Sequence, residues 1–249
     1  NHSVINWLAS LFPGKVCFLN DLTHNHMPGP HEACGDLPGL PSERRASLHE
    51  PKRLLLYSFE DVSIEGFSRF WMPRQMTGCS GRRATILILR DPLNMFASRL
   101  KLHRDRPKNS FAAQMLLGNG DGASQLTNCW LQYAREFAGE TCCLGERLVR
   151  INYNWWIVDE AYRREICQQV GGEYREDTLG QVPEYGFGSS FDGRQHGRLQ
   201  NRQGLLTRWK HFQGDPQFEN LVSCPELRRL ANVIFGEIGP APHGDPPAL

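Results

Sequence analysis

No apolar run in this sequence approaches the roughly 20 residues that a membrane-spanning helix needs, and no signal-peptide pattern opens it. Stable insertion in a bilayer is therefore not expected. The sequence also lacks an excess of charge of either sign. With 28 Lys and Arg against 27 Asp and Glu, the formal net charge is +1, which argues against a broad basic face for nucleic acid and leaves local anion sites open. A cysteine framework is missing as well. The eight cysteines (Cys17, Cys34, Cys79, Cys129, Cys142, Cys143, Cys167 and Cys224) include one adjacent pair and no Cys-x-x-Cys. In a chain of this size that spacing points to reduced thiols in a cytoplasmic setting. Asn1 stands where a starting methionine would be, so a targeting segment upstream is not excluded.

What is present is an ordinary globular composition, 40% hydrophobic and 22% charged over 249 residues, long enough for one α/β domain with a sizeable core. We expect that domain over 1–239 and a loose, Pro-rich tail over 240–249. Its organising stretch is ATILILRDPLNMFASRLKL, residues 84–102. The apolar, β-branched run before Arg90 predicts a strand buried on both faces. Asp91 then suits a helix N-cap and Pro92 the first helical position, and Leu93, Phe96, Ala97 and Leu100 recur at helical spacing. Arg90 is thereby expected at the carboxyl end of a central parallel strand, where open α/β sheets bind ligands. Its planar fork of donors suits a phosphate or carboxylate, and Ser98 could add a hydroxyl. The plain alternative is a surface pair between Arg90 and Asp91.

The remaining elements follow the same logic. Val4, Ile5, Leu8, Leu11 and Phe12 form one stripe of a helix that Asn1 or Ser3 can cap and Pro13-Gly14 ends. Strands are expected over 15–19, 53–59 and 148–153, and helices over 64–72 and 159–170, the latter closed by Gly171-Gly172. Leu126, Trp130, Tyr133 and Phe137 mark a further helix stopped at Gly139, and Leu227, Leu230, Ala231, Ile234 and Phe235 a closing one stopped at Gly236. Residues 24–52 read as a long Pro-, Gly- and His-rich loop, and 103–128 as an insertion or lid. His24, His26, His31 and Cys34 are too irregularly spaced for a metal site, and no metal is expected. Ser189 and Ser190, in a Gly/Ser turn cluster, can present N–H and hydroxyl groups to an anion. Arg208, Trp209 and Lys210 set cations beside an aromatic face.

Arginine at a strand end, proline two residues on and serine eight residues on resemble the 3′-phosphate-binding motif of sulfotransferases that use 3′-phosphoadenosine 5′-phosphosulfate (PAPS). The order of elements from Asn1 to about Phe235 is similar to bacterial sulfotransferase-domain proteins. The resemblance implies a three-layer, P-loop-type α/β fold with a central parallel sheet flanked by helices. It assigns Arg90 and Ser98 to the 3′-phosphate of the donor. Asn1, His2 and Ser3 would be the last residues of a 5′-phosphosulfate loop, with its strand, glycines and basic residue upstream. A helix N-terminus suits that role physically, through its free N–H groups and positive dipole end. Ser189, Ser190, Arg194 and Arg208 would belong to a late loop closing over the nucleotide. Here the sequence departs from the family, whose Arg-Lys-Gly and Gly-Asp-Trp-Lys runs are replaced by Asn201-Arg202-Gln203-Gly204 and Arg208-Trp209-Lys210.

The implied activity is sulfuryl transfer from PAPS, as co-substrate and without a metal, to a hydroxyl or amine of a small-molecule or carbohydrate acceptor. The catalytic base is expected just past a strand end, either His24 or Glu60. A histidine titrates near neutrality, whereas a glutamate would need its pKa raised by burial. Two other classes compete. An ATP-dependent P-loop kinase would need a Ser or Thr at the end of its phosphate loop to help hold Mg²⁺, where Asn1-His2 stands. A nucleotide-fold binding module would have no chemistry at all.

Overall fold

The computed structural model describes residues 2–19, 50–60, 62–64, 81–105, 122–176 and 203–237. They form a mixed α/β structure with four short parallel strands and seven α-helices. Helix α1 (His2–Ser10) leads into strand β1 (Val16–Leu19), and β2 (Leu54–Tyr57) pairs with β1 in parallel, Val16 opposite Leu54 and Leu19 opposite Tyr57. Strand β3 (Thr85–Leu89) runs into α2 (Pro92–Asp105), followed by α3 (Gly122–Ala138) and β4 (Leu148–Asn152). β3 and β4 are parallel, with Thr85 opposite Leu148 and Leu89 opposite Asn152. After β4 come α4 (Tyr153–Val158), α5 (Glu160–Val170), two 3₁₀ turns (Gln203–Leu206 and Arg208–Phe212), α6 (Pro216–Val222) and α7 (Pro225–Phe235).

Instead of one central sheet, the described strands form two parallel pairs, β1-β2 and β3-β4. β3 is less enclosed than its composition predicts. Leu87 and Leu89 are buried, while Thr85, Ile86 and Ile88 are only partly covered. The supposed lid also shrinks, because α2 continues through Asp105 and α3 begins at Gly122. Contacts with the later chain and a pair within the helix itself hold the polar end of α2 in helical form. Arg104 pairs with Asp215 at 2.7 Å and lies 5.3 Å from the centre of the Phe212 ring, and Lys101 pairs with Asp105 at 3.0 Å. Beyond Ile64, the helix expected over 64–72 lies outside the described residues.

Two apolar clusters stabilise the fold. In one, α2, α3, α6 and α7 bury Phe96, Leu100, Trp130, Phe218, Leu227 and Leu230. In the other, α1, β4, α4 and α5 bury Val4, Trp7, Leu11, Ile151, Trp156 and Ile166. Each such side chain contributes about 1.5–3 kcal/mol on leaving water. Trp7 meets Trp156 edge-on at 5.9 Å, and its indole N–H donates to the Arg175 carbonyl at 3.1 Å, so its one polar atom is satisfied. Helix ends follow the expected chemistry. The Asp159 carboxylate accepts from the Tyr162 N–H to start α5, and Gly171, at φ 75°, ends it in the left-handed conformation that glycine adopts without strain.

Candidate functional site

Because all four strands are parallel within their pairs, each pair presents its carboxyl ends together, and the polar residues just beyond them converge. Arg90 follows β3, Asn152 ends β4, and Glu60 lies three residues past β2. The Trp130 indole N–H donates to the Arg90 carbonyl at 3.1 Å, fixing the end of β3 against α3. The Arg90 guanidinium lies 5.3 Å from the centre of the Tyr153 ring, within cation–π range. Its Nη2 donates to the Leu205 carbonyl at 3.3 Å, and its buried Nε has no hydrogen-bond partner among the described residues.

Asp91 does not neutralise this cation. Its carboxylate accepts from the Asn94 N–H at 2.8 Å and from Asn94 Nδ2 at 3.1 and 3.2 Å, capping α2 from a site only 1% exposed. Among the described residues no carboxylate pairs with Arg90, so the plain surface pair does not form. The guanidinium keeps donors to spare, which is what an anion site requires.

His2, Glu60, Arg90 and Ser98, four of the residues nominated from sequence, line one cleft of about 450 Å³ between the two strand pairs. His2 Nε2 lies 3.7 Å from Glu60 Oε1, each side chain about a quarter exposed, so the start of α1 sits beside the end of β2. Arg99 adds a second guanidinium to the lining and Tyr57 a phenol. Burial pushes the Tyr57 hydroxyl above its usual pKa, with the positive charge of Arg83 opposing that shift, so it stays protonated at neutral pH. On the far wall, the Tyr133 hydroxyl donates to the Val62 carbonyl at 2.6 Å and Gln132 Oε1 accepts from the Ile64 N–H at 3.2 Å, tying the chain after β2 to α3.

Not every nominated residue joins this group. Ser3 is half-buried on α1 and does not line the cleft; Arg208, 8% exposed, opens the second 3₁₀ turn and does not line it either. Asn1, His24, Ser189 and Ser190 lie outside the described residues.

Two contributors escaped the sequence reading. Asn94, 1% exposed, donates through Nδ2 to the Leu206 carbonyl at 2.7 Å and accepts through Oδ1 from the Trp209 N–H at 3.2 Å. It thereby holds both 3₁₀ turns against the strand end that carries Arg90. The available signal was its place three residues after the Asp91 cap, where a reciprocal capping partner belongs. Tyr153, under the guanidinium, falls at the end of the strand expected over 148–153; the structure ends β4 at Asn152, whose side chain caps α4 by accepting from the Asn154 and Trp155 N–H groups. Comparison with protein-family models, characterised proteins and solved structures finds no match for this chain.

Proposed function

We propose that the chain binds an adenosine-type donor through its 3′-phosphate and transfers a sulfuryl group from PAPS to an acceptor hydroxyl or amine, within a P-loop-type three-layer fold. The observation that carries the reading is Arg90. It stands at the carboxyl end of a parallel strand, without a carboxylate partner among the described residues, and shares one cleft with the Ser98 hydroxyl. A guanidinium fork and a hydroxyl suit a phosphate dianion. In this reading Arg90 and Ser98 hold the donor in register and do no chemistry. The acceptor oxygen or nitrogen forms a bond to sulfur as the bridging S–O bond breaks, and 3′-phosphoadenosine 5′-phosphate leaves. Catalysis then needs alignment, cations over the developing charge and a base for the acceptor proton. Glu60, beside His2, supports the role of base from within the cleft, and His24 is the other candidate.

Calorimetry on the chain with all residues its coding frame supplies tests this. We expect 3′-phosphoadenosine 5′-phosphate to bind and ATP not to displace it. Arg90→Ala should weaken binding by about 2 kcal/mol or more, roughly 30-fold, the scale of lost charged hydrogen bonds. Equal affinity in the variant, or displacement by ATP, refutes the donor assignment. Arg90→Ala with intact nucleotide affinity would point instead to a module that does not use this corner.

A further inference from the structure

The two 3₁₀ turns are nearly one helix. Along their ladder the Thr207 N–H donates to the Gly204 carbonyl at 3.4 Å and the Lys210 N–H to the Thr207 carbonyl at 3.1 Å. Among the described residues the two rungs between these, Arg208 to Leu205 and Trp209 to Leu206, are missing. Side chains from the junction of β3 and α2 stand in for them. Arg90 Nη2 donates to the Leu205 carbonyl at 3.3 Å. Asn94 serves both halves of the other rung, with Nδ2 donating to the Leu206 carbonyl at 2.7 Å and Oδ1 accepting from the Trp209 N–H at 3.2 Å.

Chemistry restricts which residue can fill that place. Asn94 Nδ2 also donates to the Asp91 carboxylate, at 3.1 and 3.2 Å, so both amide hydrogens meet acceptors while the amide oxygen meets a donor. A carboxamide offers donors at one end and an acceptor at the other. Aspartate at this position would set a second carboxylate against Asp91 and the Leu206 carbonyl. With Asn94 only 1% exposed, water does not make good a lost bond. The segment is also held by packing on both sides of the break. Leu205 and Leu206 lie against the cluster of Trp7 and Trp156, and Trp209 and Phe212 against that of Phe96 and Phe218. Losing the Asn94 bonds therefore shifts the break without detaching the segment.

We infer that Asn94 is a positioning residue for Arg90. By seating the break in the 3₁₀ ladder it holds the Leu205 carbonyl, next to its own partner Leu206, on the guanidinium, which the Tyr153 ring constrains from a second direction at 5.3 Å. An arginine held in this way has given up side-chain freedom before an anion arrives, and such preorganisation adds affinity. The consequence for a ligand rests on the reading of Arg90 as an anion-binding residue, whereas the positioning is measurable without one.

Side-chain NMR on the uniformly labelled full chain tests this, through hydrogen exchange of the Arg90 guanidinium and its rotation about the Nε–Cζ bond. Asn94→Ala and Asn94→Asp should each speed both by about tenfold, the factor that one hydrogen bond carries. Gly172→Ala, which presses a Cβ on Leu11, should destabilise the fold and leave the Arg90 signals as they are. Signals unchanged in both Asn94 variants overturn the assignment. So do signals that move as far in Gly172→Ala, because Asn94 would then act through stability alone. Should the Asn94 variants not fold, the wild type decides. Its Trp209 amide and Arg90 Nη protons should open with one free energy and one denaturant dependence, and separate openings overturn the inference. A freed guanidinium with unchanged affinity for 3′-phosphoadenosine 5′-phosphate, or a wild type that does not bind this nucleotide, would sink the donor reading alone.

Discussion

Glu136 offers the sharpest test of how the strand ends are held. It lies in the last turn of α3 with no exposed surface. Its carboxylate accepts from the Thr141 hydroxyl at 2.5 Å and from the Cys143 and Leu144 N–H groups at 2.9 Å, while its own carbonyl accepts from Arg150 Nε at 3.2 Å. One carboxylate thus shapes the turn that delivers β4. Glu136→Ala leaves the buried Leu144 N–H without a partner, at about 1–3 kcal/mol. The exposed Cys143 can return its N–H to water, and removing a buried charge recovers its desolvation cost, so the losses do not simply add. We expect a net loss of about 2–3 kcal/mol, a fall in Tm of roughly 5–10 °C for a domain of this size.

Acidity supplies an independent check. Burial raises the Glu136 pKa, but the Thr141 hydroxyl, the Leu144 and Cys143 N–H groups and the Arg150 charge outweigh it, leaving the pKa below the ordinary 4.5. A carboxyl with a depressed folded pKa contributes stability that is fully present above its unfolded value and lost as pH falls through the folded one. The stability gap between wild type and Glu136→Gln, measured by urea denaturation, should therefore hold at neutral pH and narrow below 4.5. A gap that widens on acidification, or an alanine variant that melts with the wild type, refutes this account of the turn.

Two further substitutions probe the frame around the cleft. Asn152→Ala removes the α4 cap and the 2.8 Å bond from Nδ2 to the Ile234 carbonyl, and should cost about 2–3 kcal/mol in chemical denaturation. Asn152→Asp keeps the cap but sets a carboxylate against that carbonyl, so full recovery in this variant would show that the Ile234 bond contributes nothing. At Gly172 a Cβ would meet Leu11 Cβ at 2.7 Å and the Leu11 carbonyl oxygen at 3.1 Å. That carbonyl accepts from the Glu173 N–H at 2.7 Å, so it has little room to move. Gly172→Ala should cost about 1–3 kcal/mol by overpacking, and a urea midpoint equal to wild type would show that α1 shifts freely.

The strand-Arg-Asp-Pro-helix junction was legible because every signal in it is local: an apolar run, a cap and a proline at the first helical position. The same signals stand before α6, where Asp215 accepts from the Gln217 and Phe218 N–H groups and Pro216 follows, yet seven residues are too few to show a period. That helix depends on burying Phe218, Leu221 and Val222 against chain far away in sequence. The cap position of Asn94 was legible, but its hold on the 3₁₀ turns was not, since its partners Leu206 and Trp209 lie more than a hundred residues on. Tyr153 reaches Arg90 through register alone. Leu89 opposes Asn152, so the residue that follows each strand meets its counterpart, cation over ring. Whether Arg90 pairs with its neighbour Asp91 was a question the local signals left open. It is decided by what Asp91 is needed for. Its carboxylate lies against the Asn94 N–H and side-chain amide, and a carboxylate committed to starting α2 has little capacity left for its neighbour. The residue that begins the helix is thus the one that leaves the arginine at the strand end without a carboxylate partner among the described residues.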